Sequence, residues 1–194
     1  MVAYTTDYSG HEKQMKQTIK DMILLDKFSH CPACGSPHFV RSSFKSNQCR
    51  DCGFEYFANS SAATAAFIEN PRGELLVVRR REEPARGTLD LPGGFVDPGE
   101  AAEVAVVREI REETGLEATS PRYLFSLPNV YSYAGMEIST CDLFFACKVE
   151  QWQTATAMDD AAEVLWLRPD ELRPELFGLA SISQGVERYL QNLL

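Results

Sequence analysis

Glu109, Glu112 and Glu113 stand at i, i+3 and i+4 in the run VREIREE. On a helix this spacing puts all three on one face, within an arc of roughly 100°. Carboxylates so placed repel each other unless a cation lies among them. Hard oxygen donors suit Mg2+ or Mn2+, ions that keep waters and also bind substrate phosphates. A solvated acidic face is the other reading of this run taken alone. The second chemical signal is Cys31-Pro-Ala-Cys34 and Cys49-Arg-Asp-Cys52, two C-x2-C knuckles. Each pair turns two thiols to one side of a tight turn, and two pairs complete a tetrahedron. Gly35 and Gly53 follow the knuckles and permit the turns. The pattern reads as a structural Zn2+ ribbon with every position filled; disulfides or a redox pair are the alternative. Nothing resembling a signal peptide precedes the cysteines, which points to a reducing, cytoplasmic setting. Cys141 and Cys147 lie in an apolar strand-like run and read as buried free thiols.

The carboxylates need a helix to carry them. Asp97-Pro98-Gly99-Glu100 predicts its start, with Asp as N-cap and Pro at the first helical position, and Gly115 predicts its stop. Val104, Val107 and Ile110 predict its buried stripe. Upstream, 63–68 and 74–78 read as strands around the turn Glu69-Asn70-Pro71-Arg72-Gly73, and the loop 79–90 leads into Leu91-Pro92-Gly93-Gly94. Downstream come strands over 122–127 and 130–149, the latter broken into a hairpin at Ala134-Gly135, and a short strand over 163–167. Helices are expected near 169–172 and 182–193, and an amphipathic one over 10–26 with Met15, Ile19, Met22 and Ile23 on one stripe. The expected division is a helical segment 1–27, a ribbon 28–58 and a larger domain 59–194. Strands flanked by helices on both sides predict an α/β/α sandwich.

A chain of 194 residues supports one core of ordinary size beside a small module. No apolar stretch approaches the length that spans a membrane. The net charge of −9 argues against general affinity for nucleic acid. The ribbon does not reverse that, because Arg41, Lys45 and Arg50 are partly balanced by Asp51 and Glu55.

Taken whole, residues 94–116 fit G-x5-E-x7-R-E-U-x-E-E-x-G-U, where U is a bulky aliphatic. Gly94, Glu100, Arg108, Glu109, Ile110, Glu112, Glu113, Gly115 and Leu116 occupy the specified places. This resembles the Nudix box, and the ribbon before it is similar to that of the NADH pyrophosphatase branch of the family. The resemblance implies a mixed-sheet Nudix sandwich and a metal-dependent hydrolase of nucleoside diphosphates linked to another moiety. It implies Glu109, Glu112, Glu113 and the Gly94 backbone carbonyl as ligands of Mg2+ or Mn2+, with Arg108 among the catalytic candidates. Glu100 is expected to cap the helix or pair with Arg108. Members often place a further carboxylate before the last strand; Asp159, Asp160 and Glu163 are the candidates, Glu163 best matching the recurring pattern, with an exposed strand-end carboxylate as its plainer reading.

Arg79, Arg80, Arg81 and Arg86 could offset phosphate charge, Arg80 and Arg86 being singled out, or form a solvated basic loop end. The NADH pyrophosphatase branch carries S-Q-P-W-P-F-P after the box. Here Ser126-Leu-Pro-Asn-Val-Tyr-Ser132 keeps only the Ser, one Pro and an aromatic. The expected substrate is therefore a dinucleotide or ADP-sugar of the NADH or ADP-ribose type, cleaved to release a nucleoside monophosphate. Tyr131 or Tyr133 is the expected aromatic platform, with Asn129 as a polar contact; pairing across a strand is the plain alternative. The partner is a small-molecule nucleotide, and a homodimer follows from the resemblance alone. Two other classes stand beside this one: an enzyme removing nucleotide 5′ caps with the ribbon on RNA, and a Nudix-like regulator that binds a nucleotide without cleaving it. The acidic charge counts against the first and the intact box against the second.

Overall fold

Several strands of this chain are apolar at consecutive positions rather than alternate ones, so both of their faces must be covered. The computed structural model describes residues 23–191, in two compact units. In the larger, Ala65 and Phe67 of β4 (Ser61–Ile68), Leu75 and Val77 of β5 (Leu75–Arg80) and Phe144 of β8 (Met136–Val149) enter one apolar cluster. Their neighbours Ala66, Ile68, Leu76, Phe145 and Cys147 enter a second, as the two-residue strand period requires. Helix α2 (Ala180–Gln191) closes the first cluster with Ile182 and Val186. Helix α1 (Ala102–Thr114) closes the second with Val106 and Ile110. The outcome is the expected α/β/α sandwich. Each fully buried Leu, Ile or Phe in it contributes roughly 1.5–3 kcal/mol.

Its strands form two three-stranded sheets. In one, β4 pairs in parallel with β8, and β8 neighbours β7 (Ala118–Tyr133). In the other, β5 is flanked antiparallel by β6 (Leu89–Asp90) and β9 (Ala161–Leu167). The β4 and β5 strands lie where the pattern put them, and the turn between them sends the chain from one sheet to the other. The hairpin turn at Ala134-Gly135 is present, with φ of 49° and 74°, the paired positive values of a tight hairpin.

Three expectations are corrected. Helix α1 begins at Ala102, not at Pro98. Asp97–Glu100 is instead a turn closed by the Glu100 amide on the Asp97 carbonyl at 3.0 Å, with Gly99 at φ +85°. Pro followed by a positive-φ Gly is the sequence of a type II turn. The buried stripe of α1 is Ala105, Val106, Ile110 and Thr114, while Val104 is 58% exposed. At about 100° per residue, Glu109 and Glu113 fall inside that arc; the helix therefore turns two carboxylates inward with its apolar side. Residues 169–172 form a hydrogen-bonded turn and no helix, followed by a 3-10 turn at Pro174–Leu176. The helix expected over 10–26 lies mostly outside the described residues; its end, Ile23–Lys27, is 3-10.

The smaller unit holds an antiparallel sheet in the order β1 (Phe39–Ser43), β2 (Ser46–Cys49), β3 (Glu55–Phe57). Its core is Cys31, Phe39 and Cys49, with Phe28 and Tyr56 packed against them.

Candidate functional site

The four cysteines of the smaller unit converge. Their Sγ atoms all lie within 4.8 Å of one another. Cys31 to Cys52 and Cys34 to Cys49 are each 3.7 Å, and all are free thiols. Four thiolates about 2.3 Å from a tetrahedral ion stand about 3.8 Å apart, so the donor set fits a four-cysteine metal centre and not a disulfide pair. The knuckles repeat one geometry: Gly35 N–H donates to Cys31 O and Gly53 N–H to Cys49 O, with φ of 75° and 76° at the glycines. The Cys52 amide, working against burial, draws the Cys49 thiol down, whereas the Cys34 and Cys52 thiols are raised by burial and by their sulfur neighbours, so the thiols do not ionise independently.

In the larger unit, α1 faces a cavity of about 310 Å³ into which Glu109, Glu112 and Glu113 project. Opposite them the chain from Pro92 to Val96 lies against β4: the Ala66 amide donates to Pro92 O, Thr64 N to Gly94 O and Val96 N to Ala62 O. The two glycines make that approach possible. A Cβ at Gly93 would overlap the Thr64 carbonyl, and one at Gly94 would lie 2.7 Å from the Glu109 carboxyl carbon. The Gly94 carbonyl accepts both the amide and the hydroxyl of Thr64, at 2.8 and 3.3 Å. The absent side chain of Gly94 also leaves room for Glu109.

The carboxylates differ in surroundings. Burial pushes Glu113 well above the ordinary carboxylate range, with Asp90, Glu109 and Asp160 adding to the effect; the Gly93 amide, 3.0 Å away, opposes it. Burial also raises Glu109, against the pull of Arg108. Glu112 is the most open, with 41% of its side chain accessible. Hard oxygen donors that resist ionising together fit a divalent cation of the Mg2+ or Mn2+ kind.

Arg108 organises this face. It donates Nε and Nη2 to Glu100, Nη1 to Glu109 and Glu112, and Nη2 to the Phe95 carbonyl. All five of its N–H donors are spent. It therefore positions the carboxylates and has nothing left for a substrate. Glu100, bound to Arg108 and to the Asp97 amide, stands apart from the cavity.

Asp159 and Asp160 line the cavity, and Glu163 does not. The Glu163 carboxylate accepts from Arg79 Nε at 2.8 Å and is half exposed on β9. Of the three candidates, the two aspartates are thus the ones brought to the cavity. Arg81 fixes the aspartate loop: its amide bonds Asp160 O, and its guanidinium bonds the Asp159 and Ala161 carbonyls. Arg80 is the single Lys or Arg among the lining residues, held by Asp90 at 2.6 Å and by Pro84 O. Arg86 is exposed and outside the cavity. Tyr131 lines the cavity, edge-on to Phe95 at 5.5 Å; Tyr133 lies outside it, 59% exposed.

Sequence reasoning missed Phe95, Asp90 and Asp142, all lining residues. Two of them carried a signal. Asp90 and Asp142 are 7% and 5% exposed, charged residues within apolar runs, where an acid is rare unless something pairs with it.

An acidic helix facing a glycine-bearing loop, set in a mixed-sheet α/β/α sandwich, defines the class. The NUDIX domain model matches residues 59–188, more than half of the chain, and the chain belongs to the Nudix family. It is 33% identical over 163 residues to the NAD-capped RNA hydrolase NudC of Stutzerimonas stutzeri, covering 84% of this chain and 54% of that protein. It is 43% identical over 63 residues to the ADP-ribose pyrophosphatase of Methanocaldococcus jannaschii, covering 32% of this chain and 37% of that protein. The chain thus spans about half the length of the NudC relative. Among solved structures, a NUDIX hydrolase from Nitrosomonas europaea superposes with a TM-score of 0.68 at 22% identity, over 84% of this chain and 90% of that one, a likeness of fold. Among the described residues, no helix is long and apolar enough to cross a membrane.

Proposed function

We propose that this chain is a metal-dependent pyrophosphohydrolase acting on a nucleoside diphosphate linked to another moiety, of the dinucleotide or ADP-sugar type, and releasing a nucleoside monophosphate. The observation that carries the reading is the cavity itself. Glu109, Glu112, Glu113, Asp159 and Asp160 all border it, with Arg80 its single lining Lys or Arg. A pyrophosphate cannot approach so many carboxylates unless cations enter with it. Glu109, Glu112 and Glu113 would hold Mg2+ or Mn2+, whose chemistry is to polarise phosphoryl oxygens and lower the pKa of bound water. Asp159 or Asp160, in the loop held by Arg81, would accept a proton from an attacking water. Arg80 offers charge to a phosphate oxygen, and Arg108 keeps Glu109 and Glu112 in place. The four-thiol set in residues 28–58 is read as a structural Zn2+ ribbon, and residues 59–194 as the hydrolase domain. A reducing, cytoplasmic compartment belongs to the same reading, because ligation of Zn2+ by four cysteines needs them reduced.

The test is a panel of NADH, ADP-ribose, other nucleoside diphosphate sugars and nucleoside triphosphates, with Mg2+ and with Mn2+, products being separated chromatographically. Cleavage of a pyrophosphate-linked dinucleotide or sugar to AMP is the expected result. Activity confined to triphosphates rejects the substrate class. A second reading, cleavage of the same linkage at an NAD-type 5′ cap on RNA, is favoured by the name of the NudC relative, which matches over 84% of this chain. RNA binding with a steep salt dependence would support it.

A further inference from the structure

Arg79 and Arg80 are neighbours at the end of β5, and the two-residue period of a strand sends them to opposite faces. Arg79 goes to Glu163, outside the cavity. Arg80 shares its face with Val78, and both line the cavity. Val78 lies opposite Asp90 of β6, so Arg80 is the diagonal neighbour of Asp90 on one face, within reach of a long side chain. Its Nη1 donates to Asp90 Oδ2 at 2.6 Å, its Nε to Pro84 O at 2.7 Å and its Nη2 to the Tyr131 hydroxyl at 3.4 Å. A guanidinium has five N–H donors. Among the described residues, two of those on Arg80, one on each Nη, therefore meet no acceptor, whereas Arg108 has spent all of its own. Asp90 is buried, with both oxygens engaged: Oδ2 takes Arg80, and Oδ1 takes the Leu91 amide at 2.8 Å. A buried carboxylate is costly unless it is paired, and here it is paired with the single Lys or Arg among the lining residues. The pairing matters as much to the arginine. The carboxylates of α1 border the same cavity, and a long guanidinium without a partner of its own would turn to them, as Arg108 does. Asp90 holds Arg80 back.

We propose that Asp90 is a positioning residue that reserves the two open N–H donors of Arg80 for a diphosphate. This rests on the nucleotide-hydrolase reading above and adds the group that keeps its phosphate donor available. Bonds from a guanidinium to phosphate oxygens are charge-assisted and strong. Arg80 makes them; Asp90 does not touch the substrate and acts through Arg80. Asparagine cannot stand in for it. The amide oxygen can meet Arg80 or the Leu91 N–H, and the NH2 group then faces the other donor.

The test is binding of methylenediphosphonate, a diphosphate whose bridging carbon resists hydrolysis, measured calorimetrically at saturating Mg2+. Asp90→Asn and Arg80→Gln should each weaken it on the order of tenfold or more, as expected when bonds to a charged group are lost. The decisive protein carries both changes. Because Asp90 acts through Arg80, it should bind no worse than Arg80→Gln alone. A residue that merely supported the fold would add its own loss. KM for ADP-ribose should follow the same order across the three variants. Losses that add in the double variant overturn the proposal, as does wild-type affinity in Asp90→Asn. If Asp90→Asn does not fold, Asp90→Glu takes its place in the same cycle. It keeps the charge and the pairing but displaces the guanidinium by one methylene, so it should weaken the phosphonate in the wild-type background and not in Arg80→Gln; wild-type affinity there overturns the proposal. Phosphonate binding that is lost in these variants, with no hydrolysis of any linked diphosphate, supports the role of Asp90 while defeating the hydrolase reading. Hydrolysis of ADP-ribose with a KM indifferent to Asp90→Asn does the reverse.

Discussion

Among the described residues, a quartet of thiols and a group of cavity-lining carboxylates are built in opposite ways. The four thiols come from two knuckles of like geometry, each closed by its own backbone hydrogen bond, with equal 3.7 Å cross-pairs. They form a closed shell of soft donors with no place for a further ligand. The carboxylates come mainly from one helix, with Asp159 and Asp160 added from a loop, and they border open space. Their mutual repulsion is offset on one side only, by Arg108. A closed soft set holds a fold together. An open hard set with charge in excess leaves positions for phosphate and water. The difference predicts where activity resides.

The largest effect belongs to the open set. Glu112→Gln or Glu113→Gln should lower turnover on the order of 100-fold or more while circular dichroism stays unchanged. Near-normal rates in both at limiting Mg2+ would remove the assignment and the contrast with it. Asp159 and Asp160 come next. Losing a carboxylate that takes a proton costs about 10²-fold at the low end of general-base effects, so one of Asp159→Asn and Asp160→Asn should fall about that far. Glu163→Gln, outside the cavity, should stay within about twofold. The opposite ranking would restore Glu163 as the working carboxylate.

The helix that carries Glu109, Glu112 and Glu113 was legible in the sequence because spacing at i, i+3 and i+4 has one geometric meaning. The thiol quartet was legible for the same reason. What the sequence hid depends on burial. Val104 and Val106 are chemically identical, and only the packing against Ile68 and Leu76 selects Val106 for the core. Asp160 immediately precedes the last strand, and Glu163 is its third residue. The Arg79 side chain on neighbouring β5 takes up Glu163, whereas the three bonds from Arg81 turn the Asp160 loop toward α1. Tyr131 and Tyr133 share one strand face by parity, yet only Tyr131 reaches the cavity. Long-range partners decide such choices, and no local pattern encodes them.

The closed set should affect turnover least. Cys31→Ser should release the bound metal, about one zinc per chain by elemental analysis, and loosen the smaller unit. Turnover per folded molecule should change by less than about threefold, since no thiol borders the cavity. A loss approaching that of Glu113→Gln would make the thiol set part of the reaction and erase the distinction between the two groups.

The smallest effect is on stability and separates the groups by sign. Glu113 has its acidity weakened in the folded chain, first by burial and then by Asp90, Glu109 and Asp160. Unfolded, it would release its proton near pH ~4.3. Between that pH and its raised folded value, the folded protein holds a proton that the unfolded chain has lost, so raising the pH favours unfolding. In buffer without Mg2+ or Mn2+, and without a chelator that would strip the thiols, wild-type Tm should fall relative to Glu113→Gln as pH rises through this window. The gap should be on the order of a few degrees and should narrow when Mg2+ is added, because a cation binding only the folded carboxylates restores their ionised form. Parallel Tm curves for the two proteins, with and without Mg2+, would mean that the acidic face stores no repulsion for a cation to relieve. The open set would then be an acidic surface of the ordinary kind.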